Sequence, residues 1–519
     1  MSLSLPTQSA EEISAKARGH LEAVLAIESS SDEESETIPS TVGQANLAQW
    51  LQEFFEGQGA QVERDEFANM IASLPGRGTG VSADPLALMV HLDTAKGTLP
   101  IDRLKLHPNW DGGPLQWDDK SLLQVDIQTF PSLDFFLGQD LLHGPGIAPF
   151  GLDDKLGLTH LMTLAWLLHT NEQIDHPPLF LIGRPDEEIG RDEALHGLAA
   201  LLQKRGVQRG YTVDGIAPFE VNLENFNAAG ASLLFESQPY TPEKHLLALD
   251  IRGINTHGAT AKAEGHRSAL RFVSQLVEVT EVRVVHFETD PLRECDGSCV
   301  VETDHPERIT AALDRIIQPH RCRGASWKAS SLPSPWSANQ AADDMIRFVA
   351  HFLASDPGFT ILAEESEGHD GYSQPYRSSL TSEGQQLDVR VRDFTTEGLN
   401  DRLEHISSTT ESKTARVVLE AQYTNMGPQL AHRPELVEWP RLAAESIGRA
   451  ASIAPIRGGT GVDPFLDADI CVGNLGTGYF APESEKELTS LQMLNEHASW
   501  LVALVQVAIG QSSETSEHQ

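Results

Sequence analysis

The chain has 519 residues, 40% of them hydrophobic and 22% charged, so it is long enough for two or more domains and too apolar to be mainly disordered. Its formal net charge is -37 at pH 7, and so acidic a protein repels the phosphates of nucleic acids and the anionic surface of membranes. We therefore expect neither nucleic acid nor a membrane as a partner.

The N-terminus and the cysteines both indicate a cytoplasmic protein. The first residues contain no basic segment followed by an apolar one, and no apolar run approaches the length of a membrane span. Four cysteines in so long a chain are too few for a disulfide framework, and the spacing of Cys295 and Cys299 matches no standard zinc motif. We expect reduced, structural cysteines.

The first part of the chain alternates between helical and strand patterns. Apolar residues at helical spacing predict a helix over 41–56. The apolar runs at 86–94 and 178–188 predict short buried strands, and residues 155–169 between them predict a helix. The order strand, helix, strand is typical of an α/β domain.

The pattern changes at about residue 226. Strands are predicted at 228–238, 245–255 and 386–394, and helices at 268–279 and 341–354. These elements indicate a separate α+β domain. The polar, Pro- and Ser-rich stretch 296–345 is expected to be a surface elaboration that contributes least to any core.

The last ninety residues return to the earlier pattern and end in a predicted helix at 491–510. We therefore predict a mixed-sheet α/β catalytic domain formed by residues 1–225 and 431–519. An α+β domain, residues 226–430, is inserted between its two parts.

Four short polar motifs carry the candidate chemistry. His91 and Asp93 follow the first buried strand, Asp153 precedes a helix, Glu187 and Glu188 follow the second strand, and a further carboxylate comes later at Asp214. In open α/β sheets, functional groups collect beyond the carboxyl ends of the strands. Each motif alone is common on solvated surfaces, but together they supply the imidazole and carboxylate ligands that a pair of catalytic zinc ions needs.

His91 and Asp93 are interpreted as partners. If both lie on a strand, their side chains point to the same face, so the Asp93 carboxylate can orient the imidazole and fix its tautomer.

The order of these motifs resembles the peptidase T family of tripeptide aminopeptidases. This family is related to dinuclear zinc aminopeptidases, carboxypeptidase G-type enzymes and acetylornithine deacetylase. The resemblance is nearly full length and also rests on further motifs, among them Leu223–Ala229, His257–Lys262, Arg392–Phe394 and Pro455–Thr460. It implies a dinuclear-metal peptidase catalytic domain whose inserted domain acts as a lid.

The resemblance also implies roles for the motif residues. Asp153 would bridge two metal ions, His91 and Asp214 would complete one site, and Glu188 would serve the other. Glu187 would be the general base that accepts a proton from the attacking water and delivers it to the leaving amine.

Three residues in these further motifs are implied to act on the substrate, His257 in catalysis and Arg392 and Arg457 in binding. His257 would reach the scissile carbonyl and stabilise its developing negative charge, although it could also be a solvent-facing loop histidine. Arg392 and Arg457 are candidates for binding the C-terminal carboxylate of a peptide, because a guanidinium group matches a carboxylate in two-point contact. Each arginine could instead form a structural salt bridge.

The chain departs from the family at two positions. The histidine that normally ligates the second metal is replaced by Glu483, and Gly461 stands where an Asp usually follows the Gly-Gly-Thr sequence. If Glu483 is a ligand, the second site contains only oxygen donors, which favour manganese, magnesium or cobalt over zinc. Otherwise Glu483 faces solvent in an acidic loop.

We therefore expect two divalent metal ions, zinc in the first site and zinc, manganese or cobalt in the second. The predicted activity is hydrolysis of short peptides by a monomer or homodimer, with release of the N-terminal residue of tripeptides. One alternative is an amidohydrolase or deacylase acting on an N-acyl or dipeptide-like metabolite. Another is an impaired family member that only binds peptides.

Overall fold

The computed structural model describes residues 3–115, 117, 123–255, 267–280, 282–332, 338–355, 368–411 and 415–510. The chain divides into two compact units. Unit 1 contains Met1–Gly112, Phe135–Asn225 and Met426–Gln519, and unit 2 contains Gly113–Asp134 and Phe226–Asn425. The sequence pattern assigns residues 113–134 to the first catalytic segment, whereas the described residues of this range cluster with unit 2.

The strands are, in chain order, β1 (Gln61–Arg64), β2 (Met70–Leu74), β3 (Leu86–His91), β4 (Lys105–His107), β5 (Leu141–His143), β6 (Leu179–Arg184), β7 (Arg209–Gly215), β8 (Glu220–Asn222), β9 (Asn227–Glu236), β10 (Pro239–Tyr240), β11 (His245–Arg252), β12 (Arg283–Thr289), β13 (Gly297–Thr303), β14 (Ser326–Leu332), β15 (Ala338–Asn339), β16 (Tyr372–Leu380), β17 (Gly384–Asp393), β18 (Ala415–Tyr423), β19 (Ser452–Ile453), β20 (Cys471–Gly476) and β21 (Leu488–Ser490).

The helices are α1 (Ala10–Leu25), α2 (Val42–Gly57), α3 (Leu152–Thr170), α4 (Glu193–Lys204), α5 (Ala269–Thr280), α6 (Pro306–Ile317), α7 (Gln340–Ser355), α8 (Thr396–Glu411), α9 (Gly427–Leu430), α10 (Glu435–Ser446), α11 (Asp463–Asp467) and α12 (Leu491–Gly510). Each helix and strand predicted from the sequence has its counterpart among these elements, within a few residues at the ends.

Unit 1 is built on an eight-stranded mixed sheet in the order β1-β2-β6-β3-β7-β20-β8-β19. Its centre is parallel, because β3 pairs with β6 and with β7, and β20 pairs with β7. Every residue of β3 and β6 is buried, as expected for central parallel strands covered on both faces. Because parallel strands end at the same edge, this sheet brings together the residues at and just beyond the carboxyl ends of β3, β6 and β7.

Helices α1, α3 and α12 pack against one another in unit 1. In α12, Leu494, Leu501 and Val505 are at most 1% exposed, at the helical spacing that the sequence predicts. Burying such a side chain stabilises the fold by about 1.5–3 kcal/mol. None of the helices in the described ranges combines the length and apolar composition that crossing a bilayer requires.

Unit 2 is an α+β domain with two four-stranded antiparallel sheets, in the orders β12-β13-β11-β14 and β16-β17-β9-β18. Helix α5 packs against both α6 and α7. Residues from both sheets and these helices form one apolar core that includes Phe235, Phe272, Leu313, Phe348 and Val389.

The prediction that residues 296–345 form a surface elaboration is wrong. Strand β13 lies inside its sheet between β12 and β11, and Cys299, Val301, Leu313 and Met345 are fully buried. The polar residues of α6 occupy the face opposite its buried apolar stripe, so the stretch has a polar composition although one face of it forms core. The four cysteines, all in the described ranges, are free thiols.

Candidate active site

His91 is the last residue of β3, and its imidazole is 1% exposed. Its Nδ1 lies 2.9 Å from the backbone carbonyl oxygen of Asp93. A carbonyl oxygen can only accept a hydrogen bond, so Nδ1 carries a proton. The other ring nitrogen, Nε2, lies 3.0 Å from Asp153 Oδ1 and 3.4 Å from Asp214 Oδ1. The nitrogen available to a metal ion therefore faces two of the predicted ligands.

The surrounding carboxylates strongly affect His91. Burial opposes a charged imidazole, but Asp214, Asp153 and Asp93 outweigh burial and raise the pKa of His91 well above its ordinary value. The site thus favours a positive charge among its acidic groups.

The predicted ligands Asp153 and Glu188 come from two different elements, a helix start and a loop. Asp153 lies at the start of α3, and its Oδ2 accepts a hydrogen bond from the Tyr479 hydroxyl at 3.0 Å. Glu188 lies in the loop after β6, where its Oε1 is buried and has no hydrogen-bond partner among the described residues. Burial raises the pKa of Glu188 well above its usual range, and the charges of Glu483 and Asp153 raise it further.

Two overlapping sets of side chains place their donor atoms within 4.8 Å of one another. One set is His91, Asp153 and Glu188, and the other is His91, Asp154 and Asp214. A divalent cation would replace repulsion between these carboxylates by attraction, and it would give the Glu188 oxygen a partner. The residues present therefore fit a divalent metal ion.

Asp154 is a site residue that the sequence analysis missed. It is 1% exposed, its Oδ2 accepts the N–H of His91 at 3.2 Å, and its Oδ1 accepts the N–H of Gly157 at 3.2 Å. Both oxygens already accept backbone hydrogen bonds, so Asp154 fits a support for the His91 backbone better than a ligand. Its only sequence signal is that it follows Asp153 directly.

Asp93 contacts the site through both its backbone carbonyl and its carboxylate. The prediction that His91 and Asp93 share a strand is wrong, because β3 ends at His91 and Asp93 lies in the loop beyond it. Its backbone carbonyl contacts the imidazole more closely than its carboxylate, which lies 3.4 Å from Nδ1. The fully buried carboxylate also accepts the backbone N–H groups of Glu187 and Glu188, both at 3.0 Å.

Glu187 lies beside the predicted ligands. Burial raises its pKa to about 7, although the nearby charge of Arg184 opposes this shift. Arg184 Nη2 lies 3.6 Å from Glu187 Oε1. A carboxyl group that titrates near neutrality suits proton transfer at physiological pH.

The loop that contains Glu483 is mostly buried. Glu485 is 6% exposed, and Glu487 is fully buried, although the acidic sequence suggests a solvated loop. Glu483 belongs to neither of the two donor sets. Burial is the main reason that the pKa values of Glu188 and Asp153 are raised, and the charge of Glu483 raises both further.

Glu487, also missed by the sequence analysis, joins this loop to the start of α3. Its Oε1 accepts the N–H of Glu483 at 3.0 Å, and its Oε2 accepts those of Phe150 and Gly151 at 2.9 and 3.0 Å. It therefore fixes the backbone near both Glu483 and Asp153.

Of the three residues predicted to act on the substrate, the structure describes Arg392 and Arg457. His257 lies outside the described residues. Arg392, in β17 of unit 2, donates from Nη1 to the carbonyl oxygens of Ala229 and Val391, and its guanidinium lies 5.4 Å from the ring centroid of Tyr423. Arg457 is half-buried in the loop after β19 of unit 1.

Comparison with known proteins points to one group of enzymes. No family model matches the chain. Peptidase T of Macrococcus caseolyticus (strain JCSC5402) is 24% identical over 466 residues, which cover 88% of this chain and 90% of that protein. Peptidase T of Bacillus mycoides (strain KBAB4) is 32% identical over 260 residues, and there the match spans only 57% of the relative and 48% of this chain.

Two solved structures share the fold. Aminopeptidase PepT from Bacillus cereus ATCC 10987 gives a TM-score of 0.53 at 16% identity and covers 95% of this chain and 98% of that one. A tripeptidase from Staphylococcus aureus subsp. aureus Mu50 gives a TM-score of 0.55 at 14% identity and covers 96% and 99%. This chain is thus similar to peptidase T over most of its length and has the fold of these two peptidases, as the sequence motifs predict.

Proposed function

We propose that this protein is a metal-dependent aminopeptidase that hydrolyses short peptides and releases the N-terminal residue of tripeptides. The observation that carries the proposal is the cluster of buried His91 with the half-buried Asp153, Asp214 and Glu188, and with Glu187 beside it. The similarity to proteins named peptidase T supports the same activity.

Two divalent ions would be held by His91 and Asp214 on one side and by Glu188 on the other, with Asp153 between them. When bound, such ions lower the pKa of water and polarise a carbonyl oxygen. Glu187 would take a proton from the attacking water and pass it to the leaving amine. The N–H bonds to Asp93 would keep Glu187 in place during this transfer.

Zinc suits the site that contains His91, because imidazole is among its preferred ligands. For the second site we propose that Glu483 takes the place of the missing histidine, with Asp153 and Glu188. An all-oxygen set of this kind favours manganese or cobalt over zinc.

Three further roles are proposed from the family resemblance. His257 would donate to the developing oxyanion from an inserted domain that acts as a lid. Arg392 and Arg457 would bind the C-terminal carboxylate of the peptide. A cytoplasmic location and a monomeric or homodimeric state stay predictions.

The substrates should carry a free N-terminus, because a site rich in carboxylates attracts a cationic amine. The test compares hydrolysis of Leu-Gly-Gly with that of N-acetyl-Leu-Gly-Gly by the metal-loaded protein. We expect turnover of the free peptide only. Preference for the acetylated peptide would instead support a deacylase, and binding without turnover of either would support an impaired family member.

A further inference from the structure

A buried arginine connects two loops of the candidate site. Arg184 is the last residue of β6 and is 1% exposed. Its Nη2 lies 3.6 Å from Glu187 Oε1 and donates to the Thr460 carbonyl oxygen at 2.8 Å. Its Nη1 donates to the Gly461 carbonyl oxygen at 3.2 Å. The guanidinium therefore contacts the Glu187 side chain and the backbone at 460–461 at the same time.

Gly461 provides the space that this arginine occupies. A Cβ atom at residue 461 would lie 2.2 Å from Arg184 Nη1 and 3.1 Å from Cζ. Neither distance leaves room for a side chain, so any other residue at 461 would displace the guanidinium. Position 461 is also where the sequence departs from the Asp usual in the family. An Asp side chain at position 461 would clash with the Arg184 guanidinium, so the guanidinium can lie here only because residue 461 is a glycine.

Two carbonyl contacts fix the Arg184 guanidinium, while one of its hydrogen-bond donors is left over. Its Nε is buried and has no hydrogen-bond partner among the described residues. Buried polar groups are normally satisfied, and an exception calls for an explanation. A guanidinium has a rigid planar fork, so its two carbonyl contacts fix the direction in which it meets Glu187.

We propose that Arg184 is a positioning residue that holds the Glu187 carboxylate in one orientation relative to the 460–461 backbone. Gly461 is the residue that makes this contact possible. The inference rests on the proposed function, since Glu187 is the group whose orientation would matter for proton transfer. In this role Arg184 would act through Glu187 and not on the substrate directly.

The test uses full-length, metal-loaded protein and the variants Arg184→Met, Arg184→Lys and Gly461→Ala. The control is Gly448→Ala, because Gly448 has a positive φ of 76° like that of Gly461 at 55°, but a Cβ there would meet nothing within 4 Å. For each protein, kcat, KM, metal content and Tm are measured with a free tripeptide.

We expect Arg184→Met and Gly461→Ala to lower kcat by at least about tenfold, with KM within about threefold and metal content unchanged, since a misplaced base loses part of its contribution of about 10²–10⁴. Arg184→Lys should retain more of kcat than Arg184→Met, and Gly448→Ala should keep the parent kcat.

Two results would overturn the inference while leaving the proposed function intact. One is a kcat of Arg184→Met equal to that of the parent protein. The other is a joint loss of metal and Tm in Arg184→Met and Gly461→Ala, which would make Arg184 a purely structural residue. A parent protein without peptide turnover would contradict the proposed function, and with it the role of Arg184.

Discussion

The carboxylate of Asp93 accepts the backbone N–H of Glu187 at 3.0 Å. Its second oxygen accepts the N–H of Glu188 at the same distance, and Asp93 is fully buried. One carboxylate thus fixes the backbone of both the proposed general base and a proposed metal ligand. Hydrogen bonds from N–H groups to an ionised carboxylate are short and strong, so this loop should be rigid.

Replacing Glu187 by Gln should remove the proton acceptor and leave the metal site intact. We expect kcat to fall by about 10²–10⁴ and metal content to stay at the parent value. Steady-state kinetics and elemental analysis of the purified variant measure both quantities. Glu193→Gln, an exposed position in α4, is the matched control. Loss of metal from Glu187→Gln would show that Glu187 is a ligand and not the base.

The role of Glu483 can be tested by changing the residue to Ala and to His. If Glu483 is a ligand, Glu483→Ala should lose one metal ion per chain and most of the turnover. Glu483→His should shift the preferred ion toward zinc, because imidazole is a softer donor than carboxylate. Metal content and turnover are compared with zinc and with manganese. Unchanged metal content in both variants would exclude this loop from the metal site.

Glu487→Gln should loosen the link between the Glu483 loop and the start of α3. An amide has one accepting oxygen, so at least one of the N–H groups of Phe150, Gly151 and Glu483 would lose its acceptor. We expect the free energy of unfolding to fall by about 1–3 kcal/mol and metal affinity to fall with it. Denaturant titration and metal titration test these effects. A variant with the unfolding free energy and the metal affinity of the parent would show that Glu487 does not hold the two segments together.

The stability of the fold should decrease in mild acid because of two stacked histidines in unit 1. The rings of His160 and His497 lie 5.1 Å apart, and burial lowers the pKa of His160 to about 4 and that of His497 well below 6.5. The unfolded chain binds these protons near pH 6.5, whereas the folded protein binds them only at lower pH. The contribution of the two neutral histidines to the free energy of unfolding is therefore complete above pH 6.5 and is lost as the pH falls toward 4.

For His160 alone this effect amounts to about 3 kcal/mol at most. We expect the unfolding free energy of His160→Gln to depend less steeply on pH between 6.5 and 4 than that of the parent. The exposed His196, changed to Gln, is the control and should keep the parent slope. If the unfolding free energy of His160→Gln depends on pH as steeply as that of the parent, His160 is not a source of the acid sensitivity.

The sequence predicted the residues whose signal is local. His91, Glu187 and Glu188 follow apolar runs, and such runs form the central parallel strands, so the ends of the strands could be located directly. Asp153 and Asp214 were found through the order of the motifs. These five residues do come together at one edge of the sheet in unit 1.

The residues that the sequence missed act through contacts between distant segments. Glu487 accepts from Phe150, 337 positions earlier, and lies in an acidic run whose composition suggests solvent exposure. Arg184 contacts Thr460 across 276 positions. Neither partner can be inferred from local spacing. The sequence analysis also missed that part of 296–345 belongs to the core. The average composition of this stretch is polar, although helix α6 within it has one buried apolar face.

Metal dependence of peptide hydrolysis tests the central claim most directly. The protein is stripped of metal by a chelator until elemental analysis finds none, its turnover of Leu-Gly-Gly is measured, and divalent ions are then added back in known amounts. We predict no turnover in the metal-free protein, and recovery that is complete at two ions per chain. Full turnover by the metal-free protein would contradict the claim.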